Sequence, residues 1–170
     1  MKSVFFTAIG SLAAVPAAAA GLEVSVEIPR LSVAEYHKPY VAMWIEDDAR
    51  RTAANLSVWY DTGMAREEGE KWLADLRTWW RRSGRSLDMP VDGVSGPTKA
   101  PGTHSAEHRG DRQPLRTLKP GTYRLVVEAA REVGGRETVT IPFVWPPRRG
   151  ETLSADGKSE LGGVRLTLKP

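Results

Sequence analysis

Cysteine is absent from all 170 residues of this chain. That excludes disulfide staples, thiol nucleophiles, cysteine-held iron–sulfur clusters and covalent c-type haem. Beyond the first residues there is no apolar run of membrane length, so the body of the protein is not expected to be membrane-embedded. A Gly-x-Ser-x-Gly elbow, a dinucleotide glycine fingerprint and a phosphate loop are all missing, and the Ser, His and Asp residues are scattered. A large excess of one charge is lacking too, since 24 Lys and Arg stand against 21 Asp and Glu. Such a balance argues against nucleic acid as a partner. Nothing here points to catalysis by the chain alone.

What is present begins with a leader. Lys2 supplies a positive start, Val4 to Val15 a short apolar run and Ala17 to Ala20 the small residues of a cleavage site. This is the layout of a secretory signal peptide cut near Ala20, too short to span a membrane. The mature chain, residues 21–170, is expected in the periplasm as a single domain.

Its patterning is mostly that of strands. Leu22, Val24, Val26 and Ile28 alternate with polar residues up to Pro29. Tyr40 to Ile45 is apolar on both faces and reads as a central strand, ending at Glu46-Asp47-Asp48, a cluster expected to be solvated. Leu56, Val58 and Tyr60 predict a third strand, and Thr103 to His108 another. Thr122 to Glu128 follows the turn at Leu118 to Gly121, and Val133-Gly134-Gly135-Arg136 is a hairpin signal. The return strand runs to Phe143, with Pro142 marking an edge. Val144 to Lys158 reads as a polar excursion, and Val164, Leu166 and Leu168 as a last strand. The expected fold is mainly all-β, an immunoglobulin-like β-sandwich of about seven strands.

One segment breaks the rhythm. From Glu70 to Arg82 the apolar residues Trp72, Leu73, Leu76, Trp79 and Trp80 recur at helical spacing, and Gly84 sits where a helix should stop. An amphipathic α-helix inserted at about 67–83 is expected, its tryptophans packed on the sheet, with Trp79 or Trp80 near its end a candidate to stack on a ligand ring.

The following loop, 86–101, holds Asp92-Gly93-Val94-Ser95-Gly96-Pro97-Thr98. Two glycines, two hydroxyls and one acid offer nothing to a core, and they let the backbone approach another surface closely. The spacing of Asp92, Gly93, Ser95, Gly96 and Thr98 resembles the acceptor sequence of proteins modified by ApbE-type FMN transferases, with Pro97 where alanine is usual. The resemblance implies FMN joined through a phosphoester to the Thr98 hydroxyl, with Asp92, Gly93, Ser95 and Gly96 as transferase recognition features. Pro97 fixes its own φ and drives Gly96 towards extended backbone. Arg81, Arg82, Arg85 and Lys99 flank the heptad. They are expected to suit a helix C-terminus, and also to offset an attached phosphodiester or an anionic reduced flavin; the two roles are compatible.

Taken whole, the mature chain resembles a bacterial exported family known only as domain of unknown function 2271. The pieces are His37 to Asp47, Lys71-Trp72-Leu73-x-Asp75-Leu76-Arg77-x-Trp79-Trp80, Pro120-Gly121-Thr122-Tyr123 and Glu160 to Val164. The resemblance implies company with PepSY-type membrane reductases and FMN transferases, and so a periplasmic electron carrier. The competing expectation is a flavin-free immunoglobulin-like module that docks on such a reductase.

Two constellations are set aside. His104-Ser105-Ala106-Glu107-His108 matches the inverted zinc-protease pattern, but that pattern needs a helix. On a strand the two histidines stand about 13 Å apart. Asn55-Leu56-Ser57 is a glycosylation sequon inside an expected strand, and no role follows from it.

Overall fold

The computed structural model describes residues 19–170. The leader expected over residues 1–20 lies outside them except for its last two positions. Nine strands form two sheets: β1 (Gly21–Ile28), β2 (Tyr40–Glu46), β3 (Thr52–Tyr60), β4 (Ser95–Pro97), β5 (Gly102–Arg109), β6 (Gly121–Ala130), β7 (Arg136–Trp145), β8 (Glu151–Asp156) and β9 (Gly163–Lys169). One sheet runs β5-β1-β9-β8 and the other β4-β3-β2-β6-β7. The result is a mainly β sandwich, as its alternating patterns predict.

Between the sheets lies one apolar core. Leu22, Val24, Val26 and Ile28 of β1 face Val41, Met43 and Ile45 of β2, joined by Leu125, Val127, Ile141, Phe143, Leu166 and Leu168. A second cluster covers the outer face of the five-stranded sheet. Ala42, Trp44, Val58 and Tyr60 pack there against Leu73, Leu76, Trp79 and Val94. Burial on both faces is why β2 reads as a continuous apolar run.

The order of side chains in β3 differs from simple alternation. Met43 pairs with Ser57 but Trp44 with Asn55, so Leu56 is an extra residue in a β-bulge. Leu56 therefore joins the inner core, whereas Val58 and Tyr60 turn to the outer cluster.

Four further differences have physical reasons. The polar stretch after Val144 contains β8, an edge strand that touches the core only through Leu153 and Ala155, so its apolar period is faint. β4 is three residues long and carries no side-chain pattern at all. The segment between β3 and β4 is a chain of short turns instead of one helix: α1 (Glu68–Lys71), a 3-10 turn (Trp72–Asp75) and α2 (Arg77–Arg82). Leu76, at φ −73 and ψ 67, makes the break. Beyond it the buried Glu128 carboxylate accepts the backbone N–H groups of Thr78 and Trp79 at 3.0 and 2.8 Å. α2 is thus started afresh by an acid on β6. Finally, Glu46 is not a solvated strand end. It is 3 % exposed and accepts from Trp44 Nε1 at 3.0 Å and Arg82 Nε at 2.9 Å.

Candidate functional site

The heptad is tied down at both ends. Asp92 and Gly93 are exposed at the turn, and Gly93 takes φ 69, a value that suits glycine. The Val91 carbonyl accepts from Val94 and Ser95 at 3.2 and 2.9 Å, and Ser95 Oγ accepts the Val91 N–H at 2.9 Å. Val94 then tucks into the outer cluster. Ser95, Gly96 and Pro97 run parallel to Val58, Trp59 and Tyr60, and the Thr98 N–H donates to the Tyr60 carbonyl at 3.0 Å. Lys99 Nζ lies 5.5 Å from the centre of the Trp59 ring, a cation–π contact that holds the far end. The expected supple loop is therefore in part a sheet edge.

Thr98 itself is half-buried and lines a cleft of about 580 Å³ at one end of the five-stranded sheet. The start of β2, the ends of β3, β4 and β6, and the turn segment all meet there. Its aromatic wall is Tyr36, Tyr40 and Trp72. Tyr40 donates its hydroxyl to the Gly69 carbonyl at 3.1 Å, whereas the buried Tyr36 hydroxyl has no partner. Burial pushes both phenols above the usual tyrosine range. The charged rim carries Asp61, Asp75 and Glu132 against Lys38 and His37. His37 bridges two acids, with Nε2 3.0 Å from Glu35 and Nδ1 3.4 Å from Glu132. A cleft of this size and mixed lining suits a small, flat, partly polar molecule.

The expected tryptophan contacts need correction. Trp79 is fully buried, its Nε1 donating to Asn55 Oδ1 at 2.9 Å, so it offers no face to a ligand. Trp80 is half-buried and stands beside Arg77, Arg81 and Arg136, away from Thr98. The tryptophan that does share a cleft with Thr98 is Trp72, 50 % exposed. Helical spacing put Trp72 on the apolar face; the break at Leu76 removes that premise, and no sequence signal marks the break. Tyr36 and Tyr40 were missed because they sit on a loop and a strand end with no motif of their own.

The basic residues divide as well. Of these residues, Lys99 is fixed beside the heptad through the Trp59 ring. Arg81 and Arg82 line a different cleft with Thr52, at the opposite end of β3. Eight residue-to-residue steps of strand separate Thr52 from Tyr60, at most about 26 Å. Arg81 and Arg82 thus line a cleft other than that of Thr98. His104 and His108 both lie on β5, so the helix that the zinc pattern requires is not there.

These features define a β-sandwich with a cleft at one sheet end. The chain belongs to the family described as "Predicted periplasmic protein (DUF2271)", which matches residues 21–163. Its compartment is the periplasm, and no helix among the described residues is long and apolar enough to cross a membrane. No curated protein and no solved structure matches the chain.

Proposed function

We propose that this chain is a periplasmic electron carrier, with FMN held through a phosphoester on Thr98. An FMN transferase would load it and a PepSY-type membrane reductase would reduce it. The observation that carries the reading is the company Thr98 keeps: a half-buried hydroxyl residue in one cleft with Tyr36, Tyr40 and Trp72. Trp72 offers an open ring face for stacking, and the unpartnered Tyr36 hydroxyl is a donor for a polar ring edge. The cofactor would supply the redox chemistry, which no side chain here replaces. Asp92 and Gly93, exposed at the turn, and Ser95 and Gly96, at the sheet edge, are what a transferase would grip. Co-expression with an FMN transferase tests this. The tryptic peptide Ser86–Lys99 should gain the mass of an esterified FMN. If it stays unmodified while a known acceptor in the same cells is labelled, the reading fails.

A second reading is a flavin-free accessory module that docks on a membrane reductase. Two observations favour it. The Ser95–Thr98 backbone is bonded into the sheet, which opposes its being drawn into another enzyme. Three carboxylates on the cleft rim also disfavour a phosphate nearby. Colour separates the two: yellow that survives denaturation supports the carrier, and colourless protein from a transferase-positive host supports the module.

A further inference from the structure

The cleft at the other end of β3 is of a different kind. Arg50, Arg51, Arg81 and Arg82 line about 620 Å³ of it, and no carboxylate lines it. Two of these charges are already answered. Arg51 pairs with Asp47 at 2.8 Å and Arg82 with Glu46 at 2.9 Å. Arg50 and Arg81 have no ion pair among the described residues. Two cations left facing one concavity repel each other and favour an anion between them.

The surroundings are fastened in place. The β2–β3 turn is closed by Arg50 N–H to the Asp47 carbonyl at 2.9 Å and Asp47 N–H to the Arg51 carbonyl at 3.0 Å. Arg50 stands at φ 59, left-handed backbone that an arginine adopts only at a cost. Its carbonyl accepts from Arg82 Nη1, so the turn is tied to α2 by the same arginine that neutralises Glu46. Asn55 spends its carbonyl oxygen on Trp79 Nε1 and Ser83 Oγ, which leaves only the donor end of its amide. Thr52 keeps a buried hydroxyl with no partner.

We infer that this arginine cleft binds a small molecule carrying two or more carboxylate or phosphate groups. A guanidinium presents paired N–H donors that match either oxyanion bidentately; Arg81 spends only its Nε, on the Arg77 carbonyl at 3.1 Å, and two guanidinia without an ion pair favour two such groups. The volume suits a molecule of metabolite size rather than a polymer. The site is independent of the Thr98 cleft, at the opposite end of a strand at most about 26 Å long.

Titration calorimetry on the full chain at about 0.15 M ionic strength, where weak surface attraction is screened, tests the inference. The probes are citrate for polycarboxylates, pyrophosphate for phosphates and acetate as a monoanion. We expect one molecule of citrate or of pyrophosphate per chain and no heat with acetate; which of the two binds names the source. Arg50→Gln and Arg81→Gln should each weaken binding about tenfold or more, the loss of a charge-assisted hydrogen bond. Arg148→Gln, between β7 and β8, and Thr98→Ala should leave it unchanged. Silence with both polyanions overturns the inference. So does binding that Arg50→Gln and Arg81→Gln leave intact, or that Arg148→Gln weakens equally. All three arginines are exposed, and a melting curve for each variant confirms that it is folded.

Discussion

Glu128 on β6 starts the second half of the turn segment: its Oε2, on the outer face of the sheet that the segment covers, accepts the Trp79 backbone N–H at 2.8 Å. The same carboxylate takes the Thr78 N–H and stands 3.4 Å from Arg136. It is completely buried, so its cost of desolvation is met by three partners. Glu128→Ala should lower stability by about 3 kcal/mol, since two N–H donors and one cation lose their acceptor. Glu128→Gln keeps one carbonyl oxygen and should lose less. Urea denaturation followed by tryptophan fluorescence reads both.

Trp72 and Trp79 separate site from scaffold. Trp79→Ala empties a fully buried position and should cost about 3–5 kcal/mol. Trp72→Ala removes a half-exposed ring and should change stability by less than about 1 kcal/mol. If the cleft holds a flavin ring, Trp72→Ala should also raise flavin fluorescence, because a stacked indole quenches it. Equal stability losses in the two variants would put Trp72 in the core and remove it from the site.

The sandwich was legible because its strands alternate: β1 and β9 each bury every second residue, as their sequences announce. What escaped was set by partners distant in sequence. No local rule shows that Glu128 would restart a helix fifty residues earlier, or that Arg82 would hold Glu46 beneath the surface. The bulge at Leu56 is likewise a property of β2 and β3 together. At the site, Thr98 and its neighbours were visible as a motif, while the cleft they face is built by Tyr36 and Tyr40 from one segment and Trp72 from another. Periodicity gives each segment a face, but their meeting is decided by the sheet order.

Position 97 offers a test of the proposed acceptor role of this segment. Pro97 is exposed, pairs with Tyr60 at the sheet edge and lacks an N–H to donate. Pro97→Ala restores the alanine usual in acceptor sequences and frees φ, so labelling by an FMN transferase should rise severalfold. Thr98→Ser should keep the modification and Thr98→Ala abolish it, each with an unchanged melting temperature. Intact-mass measurement after co-expression checks all three. Label retained in Thr98→Ala would move the attachment to another hydroxyl.

His108 makes stability depend on pH. It sits on β5 opposite Leu22, is 9 % exposed, and its Nε2 is buried without a partner. Burial holds its pKa below the ordinary histidine value, because the charged ring cannot be hydrated there. A depressed folded pKa means the unfolded chain binds the proton more readily. The stabilisation is therefore complete above about pH 6.5 and is lost as pH falls from there through the folded pKa. His108→Leu should remove that slope while matching the apolar Leu22 beside it. Melting temperatures of the two proteins, taken in half-unit steps from pH 7.5 to about pH 5, should stay parallel above pH 6.5 and diverge below it. Curves that remain parallel throughout would mean His108 is protonated in the fold as easily as in the open chain.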